Sequence, residues 1–406
     1  MKKTVVALFT LCATGMACAQ AAGSSKVELW GIVDAAVRHT TNEGPDQSSL
    51  TKMIGGGMSQ SRWGINVEED MGNGVKALVS LESRFNADTG EKDATAPYFQ
   101  LSYVGLQTPY GRLLAGRQWN VLFDVVSSTY ASFPYSPYME AYKPELGMAM
   151  GARTSNMLKY TFATPDRSLV GSLQYAFQEG NDTKDLEAGF PGNAAQLPAL
   201  IQAKTVSTLA GGAVKNIGGY LRYAIQPSVA VGAGYLRTEL PGGTKVDAWT
   251  LGGSYKTGPW YFNAGYGLNK AKFDTPTSAT SPVVVRNAFD RALLGAYWSG
   301  QTNGGFLPGD ADKRQMFKLG VGYQVTSALN VGAHYFHAKQ SGSTTGRSDG
   351  KANFFIVAAD YAFSKRTDAY VALDNTRISG GEAIFMDSVS KARSRTGFTV
   401  GVRHRF

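Results

Sequence analysis

The sequence predicts an all-β fold: a sixteen-stranded antiparallel β-barrel whose strands cross a membrane. Segments of about ten residues alternate polar and apolar side chains along the chain, the pattern of a wall between lipid and water. Tight turns and longer loops alternate between these segments. The last segment, "GFTVGVRHRF" (397–406), alternates up to the terminal Phe406. A strand that reaches the chain end needs a neighbour on both sides, and a closed barrel provides them.

The connections between the segments give the number of strands. Seven are tight turns: "MGNG" (71–74), "TPYG" (108–111), "TPDR" (164–167), "QPS" (226–228), "TGP" (257–259), "VTSA" (325–328) and "SKRT" (364–367). Eight are longer loops, near 41–57, 88–95, 119–152, 179–212, 239–244, 271–313, 341–350 and 380–394. Fifteen connections join sixteen strands, and an even number places both chain ends on the periplasmic side with the short turns. The segment "VVVRNAFDRALLGAYWSG" (283–300) is assigned to the sixth loop; the alternative is an extra hairpin, which gives eighteen strands.

The first predicted strand, "KVELWGIVDAAVRHT" (26–40), illustrates the two faces of the wall. Its predicted lipid face consists of Val27, Leu29, Gly31, Val33, Ala35 and Val37. Glu28, Asp34 and Arg38 lie on the opposite face, toward the interior. A tyrosine precedes several turns by a few residues, as in "KYTFATPDR" and "DYAFSKRT". Its ring suits the boundary between lipid and water.

The N-terminus has the pattern of a secretory signal. A positive "MKK" precedes the apolar stretch "TVVALFTLCATGM", and Ala17-Cys18-Ala19 fits a cleavage site. This stretch is shorter than the ~20 residues that a spanning helix needs. We therefore expect residues 1–19 to be a cleaved signal peptide and residues 20–406 to form the barrel. Because Cys12 and Cys18 both precede the cleavage point, the exported chain would offer no thiol to a disulfide or a metal.

The chain is basic, with a formal net charge of +9. A secretory signal argues against nucleic acid as the partner, so the charge indicates a surface or lumen that meets anions. No later stretch is apolar for long enough to form a spanning helix, which argues against a helical membrane protein.

One hairpin carries a resemblance to a known family. The segment "SRWGINVEEDMGNGVKALVSLES" (61–83) resembles a hairpin of the trimeric general diffusion porins of β-proteobacterial outer membranes. Further matches are "YVGLQTPYGRLLAGRQ" (103–118), "SNMLKY" (155–160), "SKRT" (364–367) and "GVRHRF" (401–406). The resemblance implies a homotrimer in the cell outer membrane that acts as a passive channel for small hydrophilic solutes and ions. It also implies contacts with outer-membrane lipid and lipopolysaccharide, and recognition of Phe406 by the barrel-assembly machinery.

The same family folds its third loop into the lumen. Here "KPELGMAM" (143–150) is similar to that loop's Pro-Glu-Phe-Gly-Gly motif, with Leu146 and Met148 as departures. The resemblance therefore implies that the loop near 119–152 folds inward and sets the size limit of the pore.

Charged side chains predicted to face the lumen form a candidate constriction. Strand parity gives Arg38, Arg62, Lys76, Glu82, Arg84, Arg153 and Lys159, and the third loop adds Asp124, Glu140 and Glu145. A wall of Arg and Lys that faces a loop with carboxylates would sort ions by the sign of their charge. The family often has an arginine on the fourth strand where this chain has Gln100, so we expect only a modest anion preference.

The sequence leaves two other function classes to consider. A solute-selective channel of the same barrel class is the nearer alternative, and an outer-membrane enzyme or adhesin is the more distant one. The histidines are His39, His334, His337 and His404. His334 and His337 point to opposite faces of a strand and cannot share a metal. We expect no enzyme activity, no cofactor and no metal.

Overall fold

The computed structural model describes residues 25–93, 98–131, 152–177, 215–239, 245–272, 312–343, 346, 349–381 and 390–406. This part of the chain contains a short 3-10 helix (Pro45–Gln47), the helix α1 (Val121–Thr129) and seventeen strands. The strands are β1 (Lys26–Thr40), β2 (Leu50–Ile54), β3 (Arg62–Gly72), β4 (Val75–Arg84), β5 (Leu101–Thr108), β6 (Gly111–Trp119), β7 (Arg153–Ala163), β8 (Leu169–Ala176), β9 (Lys215–Gln226), β10 (Val229–Glu239), β11 (Lys245–Thr257), β12 (Trp260–Lys272), β13 (Lys313–Gln324), β14 (Leu329–Ser341), β15 (Gly350–Ala362), β16 (Thr367–Gly380) and β17 (Ser394–Arg405). No helix in the described ranges is long and apolar enough to cross a membrane.

The strands close into one antiparallel barrel. From β3 onward each strand pairs with the next in the chain, and β17 pairs with β1. The strand β1 pairs with β3 over its first half and with β2 over its second half. Because β2 and β3 together occupy one position in the wall, seventeen strands form a sixteen-stranded barrel. The predicted strand number is confirmed, and β2 is a short strand within the first predicted loop.

The connections follow the predicted order. All seven tight turns join consecutive strands, and the eight longer loops separate the resulting hairpins. In the first turn Asn73 and Gly74 both have positive φ (53° and 75°), as a two-residue hairpin turn requires. Residues 283–300 lie outside the described residues. The flanking strands β12 and β13 pair directly with each other, so no extra hairpin separates them in the wall.

The outer face of the barrel is apolar, as the alternation predicts. On β1 the exposed side chains include Val27 (71% exposed) and Leu29 (63%), whereas Asp34 on the other face is fully buried. Exposed side chains on other strands include Val104, Leu173, Leu221, Trp249, Leu251, Phe317, Phe355 and Phe398. Such a band faces hydrocarbon, and backbone pairing around the closed wall leaves no strand edge in lipid.

The helix α1 lies inside the barrel, in the first part of the predicted third loop. Asn120 caps it, since its side-chain oxygen accepts a hydrogen bond from the Phe123 amide (3.0 Å). Its buried face, which includes Val121 and Val125, packs against the inner face of β8–β11. Inward folding of this loop is therefore confirmed for residues 121–129; residues 132–151, with Glu140, Glu145 and the motif near Leu146, lie outside the described residues.

Candidate functional site in the lumen

Three arginines surround one carboxylate on the inner face of β3, β4 and β7. The Glu82 carboxylate lies 3.2 Å from Arg153 Nη2, 3.8 Å from Arg62 Nε and 3.9 Å from Arg84 Nε. Arg62 and Arg84 are register partners in the β3–β4 hairpin, and Gly64 is paired with Glu82. The hairpin therefore brings two arginines to the carboxylate, and β7 adds the third. We call these four residues the arginine cluster.

An aromatic stack joins the arginine cluster to α1. The Arg153 guanidinium carbon lies 3.3 Å from the centroid of the Trp119 ring, a cation–π contact. The Trp119 ring stacks on Phe123 of the helix, with centroids 3.7 Å apart and planes at 12°. Through this stack the third loop fixes the position of the Arg153 guanidinium.

Asp124 and Lys159 form an ion pair within this region. Lys159 Nζ donates to Asp124 Oδ2 (2.6 Å) and to the Trp119 carbonyl oxygen (2.7 Å). The sequence analysis expected the acids of the third loop to oppose the basic wall across the lumen. That arrangement is wrong for Asp124, which neutralises a wall lysine directly because α1 packs against the wall. Burial raises the pKa of the Asp124 carboxyl, and the Lys159 ammonium opposes this rise.

Tyr130 anchors the end of α1 in a slot in the wall. Its ring lies over Gly252 and Gly265, where an added Cβ would come within 2.4 Å of ring atoms. Its hydroxyl hydrogen-bonds Thr250, and its carbonyl oxygen accepts a hydrogen bond from the Lys318 ammonium. Sequence reasoning missed this anchor. The one sign of the anchor in the sequence is that Gly252 and Gly265 both face inward without a side chain, which leaves room for the Tyr130 ring.

A second segment also enters the lumen. Between β2 and β3 the chain leaves the wall as "GGGMSQS" (55–61), and Met58 is fully buried against the inner face of β1, β15 and β16. Asp34 of β1 accepts hydrogen bonds from the backbone amides of Gly57 (3.1 Å), Met58 (3.0 Å) and Ser59 (2.6 Å). We call residues 55–61 the first-loop insert.

Two further side chains hold the first-loop insert. The Tyr370 hydroxyl donates to Asp34 Oδ1 (2.5 Å), and Arg403 Nη1 donates to Ser59 Oγ (2.8 Å). Arg403 also pairs with Asp368 (3.0 Å) and Asp360 (3.2 Å). Strand parity placed Asp34 in the lumen, but its partners come from the first-loop insert and from Tyr370 on β16, which is 336 residues away in the chain.

The remaining predicted site residues lie away from the arginine cluster. Arg38 donates to both oxygens of Asp374 (2.6 and 2.9 Å), and Thr399 accepts from it as well (2.7 Å). Lys76 pairs with Glu68 near the short-turn end of the β3–β4 hairpin. Their charges are locally balanced, so neither adds to the excess positive charge around Glu82.

The histidines occupy the faces that parity predicts. His334 is buried on the inner face of β14, and His337 contacts Asn353 on the outer face. His404 is exposed on β17 and contacts Thr367. Among the described residues, no group of three His, Cys, Asp or Glu side chains is placed to hold a metal ion.

Comparison with known proteins identifies the family of this barrel. A family model described as Gram-negative porin matches residues 4–381. The chain belongs to the Gram-negative porin family. An outer membrane porin protein of Bordetella pertussis is 28% identical over the full length of both chains, and outer membrane porin protein 32 of Delftia acidovorans is 26% identical, also over both full lengths.

A solved porin structure has the same fold. The structure described as an anion-selective porin from Comamonas acidovorans matches with a TM-score of 0.65 and 22% identity, covering 94% of this chain and 100% of that one. The resemblance to β-proteobacterial porins is confirmed. This porin is an outer-membrane β-barrel that forms a diffusion channel.

Replacing Asp34 by alanine is expected to release the first-loop insert. Three buried backbone amides would lose their acceptor, and each unsatisfied donor costs about 1–3 kcal/mol. We expect the folded barrel to convert to the unfolded band at a lower temperature in semi-native gel electrophoresis. Ser49→Ala, in the same loop but exposed, serves as the control. Equal transition temperatures for the Asp34 variant and the parent would show that Asp34 does not hold the insert.

Proposed function

We propose that this porin passes small hydrophilic solutes and ions with a modest preference for anions. The observation that carries the proposal is the arginine cluster, in which three guanidinium groups surround one carboxylate. A charged lumen lining lowers the barrier for ions of opposite sign. The helix α1 and the first-loop insert both occupy lumen space, so permeating ions pass closer to the charged wall.

Ion pairing elsewhere in the lumen supports this assignment. Lys159 is neutralised by Asp124, and Arg38 by Asp374. Arg403 and Arg405 are balanced by Asp360 and Asp368. Around Glu82, by contrast, the three arginines outnumber the carboxylate within the described part of the chain. Their excess positive charge favours a passing anion over a cation.

The proposal is tested by recording single channels in a planar bilayer across a KCl gradient. The zero-current potential should have the sign of an anion-preferring pore, and its size should fall at high salt because ions screen the cluster. A potential of the opposite sign would contradict the proposal.

Conductance that rises linearly with KCl fits a diffusion channel, whereas saturation would favour the alternative, a solute-selective channel.

We further propose the assembly that the family resemblance implies. The exported chain begins after a signal peptide at residues 1–19, folds as one barrel domain (20–406) and forms a homotrimer. Its partners are outer-membrane lipid, lipopolysaccharide and the barrel-assembly machinery. Phe406 is suited to recognition because this residue is 47% exposed directly after the last strand.

Deleting Phe406 is expected to lower the amount of assembled porin. Its backbone amide and carbonyl both pair with Gly31 (3.1 and 3.0 Å), and its ring covers that glycine. The deletion therefore removes the last pairing between the chain end and β1 together with the proposed recognition residue. The measurement is the heat-modifiable protein in outer membranes at low expression. Phe398→Ala, another exposed ring on β17, is the control; equal assembly of the deletion and the parent would contradict the assignment.

A further inference from the structure

The two segments that enter the lumen lie on different sides of the barrel. The first-loop insert packs on β1, β15 and β16, and Arg403 of β17 donates to its Ser59. The helix α1 packs on β8–β11, and Tyr130 extends this contact to Gly265 on β12 and Lys318 on β13. In the order of strands around the wall, β3–β7 separate the two packed regions. These strands carry the arginine cluster.

Both segments reach the arginine cluster, so they stand at the same height in the barrel. The aromatic stack described above joins α1 to the cluster. The first-loop insert joins it directly, because its last residue, Ser61, precedes Arg62. Ile32 of β1 is the register partner of Arg62. Asp34, which holds the insert, is two residues farther along β1, or about 7 Å.

Ser61 is clamped between two strands of the wall. Its hydroxyl accepts a hydrogen bond from the Asp34 amide (3.0 Å) and donates to the Asp34 carbonyl oxygen (3.1 Å). Its own carbonyl oxygen accepts from the amide of Phe85, which follows β4 (3.1 Å). Because Arg62 is the next residue, the position of the insert also fixes the start of β3 beside the cluster.

The middle of the insert lies flat against the wall. The Asp34 carboxylate accepts hydrogen bonds from three successive amides, those of residues 57–59, and such bonds to an ionised group are strong. At Gly57 an added Cβ would overlap the Tyr370 hydroxyl and the Ala36 methyl group. Met58 is fully buried on the same side. The insert is therefore a fixed part of the lumen wall.

The insert also has a side that faces the passage. Met58, Ser59 and Ser61 are buried against the wall, whereas Gln60 is partly exposed. Across β3–β7, inward-facing side chains such as Tyr103 and Arg112 also keep part of their surface exposed. In the described part of the chain, the space left for solutes therefore lies between the insert, α1 and these strands.

We propose that the first-loop insert is a second constricting segment, which bounds the passage on the side away from α1. Asp34 is its positioning residue. The third loop then sets the size limit of the pore only together with the first. The inference rests on the proposed passage of small hydrophilic solutes, and it concerns their size and not their charge, since pore diameter governs which uncharged solutes pass.

Two variants test the proposal by releasing the insert. Asp34→Asn keeps the shape of the side chain but turns an amide group with only one acceptor oxygen toward the backbone donors. Met58→Ser weakens the apolar packing and leaves Asp34 in place. Asp70→Asn, in an exposed turn, is the matched control, because asparagine can still accept the hydrogen bond from the Gly72 amide (2.8 Å). Heat-modifiable migration in gels shows that each full-length variant has folded.

The readouts are single-channel conductance at high KCl, where ions screen the charges of the wall, and the entry of neutral sugars of graded size into liposomes. We expect both release variants to conduct roughly twofold better than the parent and to admit larger sugars, because the passage widens. The control should behave like the parent. An insert that only stabilises the barrel would lower the unfolding temperature without moving either readout, and that result in both release variants would overturn the proposal.

A third variant tests the same surface in the opposite direction and does not loosen the insert. Gln60→Trp places a larger side chain on the exposed side of the insert, so conductance and the largest admitted sugar should both fall. Ser49→Trp, exposed in the same loop, is its control. Unchanged readouts for Gln60→Trp would by themselves contradict the proposal, even if a release variant failed to fold. A zero-current potential of cationic sign in the parent would contradict the proposed anion preference alone, because neutral sugars do not report charge.

Discussion

Replacing Arg62 by glutamate is expected to remove most of the anion preference of the channel. The arginine cluster has three cations and one anion, and the exchange leaves two of each. At an ion's distance of about 8 Å, a two-unit change in charge shifts its barrier by roughly 1–2 kcal/mol at an effective dielectric between that of water and that of a protein surface. The anion-to-cation permeability ratio should therefore fall about 5- to 30-fold before salt screening.

Arg62 suits this exchange because it is the most exposed arginine of the cluster. Its side chain is 26% exposed, against 7% for Arg153, so a glutamate at 62 keeps more of its hydration. The measurement is the zero-current potential across a KCl gradient, with Arg366→Glu in a periplasmic turn as a control of equal charge change. If the potential of the Arg62 variant equals that of the parent, permeating ions do not pass the cluster.

Gly252→Ala is expected to raise single-channel conductance by displacing the third loop. An added Cβ would lie 2.4 Å from a ring atom of Tyr130, well inside van der Waals contact, so the ring must leave its slot. Removing a buried aromatic ring from a packed site costs about 3–5 kcal/mol, and the end of α1 loses its anchor. The helix should then occupy the lumen less often.

A double substitution separates this effect from general damage to the wall. Tyr130→Ala alone should also raise conductance. The double variant with Tyr130→Ala and Gly252→Ala should conduct about as well as the Tyr130→Ala variant, because the two changes break the same contact. Gly253→Ala on the outer face of the same strand is the matched control, since its added Cβ would meet only a strand carbonyl at 3.0 Å and a valine methyl at 3.3 Å. Unchanged conductance in the Gly252 variant would mean that Tyr130 does not hold the constriction.

The wall of the barrel could be predicted from the sequence because its determinants are local. Alternation assigns each side chain to lipid or lumen, and turn residues such as Asn73 and Gly74 close a hairpin through their own backbone angles. Even the proximity of Arg62 and Glu82 follows from one hairpin register. Only the strand β2 was missed, because it is a five-residue strand within the predicted first loop that pairs with the second half of β1 and does not span the wall.

The contents of the lumen could not be predicted in the same way. Met316 and Phe336 face inward yet are buried in the same cluster as α1, whereas parity alone predicts contact with water. Asp124 was expected to oppose the basic wall and instead neutralises Lys159. In both cases the outcome depends on which loop lies against which strand, and alternation carries no information about that.

The sequence by itself determined the barrel, the number of its strands and the face to which each wall residue points. The tertiary structure alone decided which lumenal charges are paired and which remain in excess. Asp34 meets Tyr370 across 336 residues of chain, and Tyr130 meets Thr250 across 120. Such contacts exist only once the barrel closes and the first and third loops fold inward, because closure is what brings distant strands to one surface.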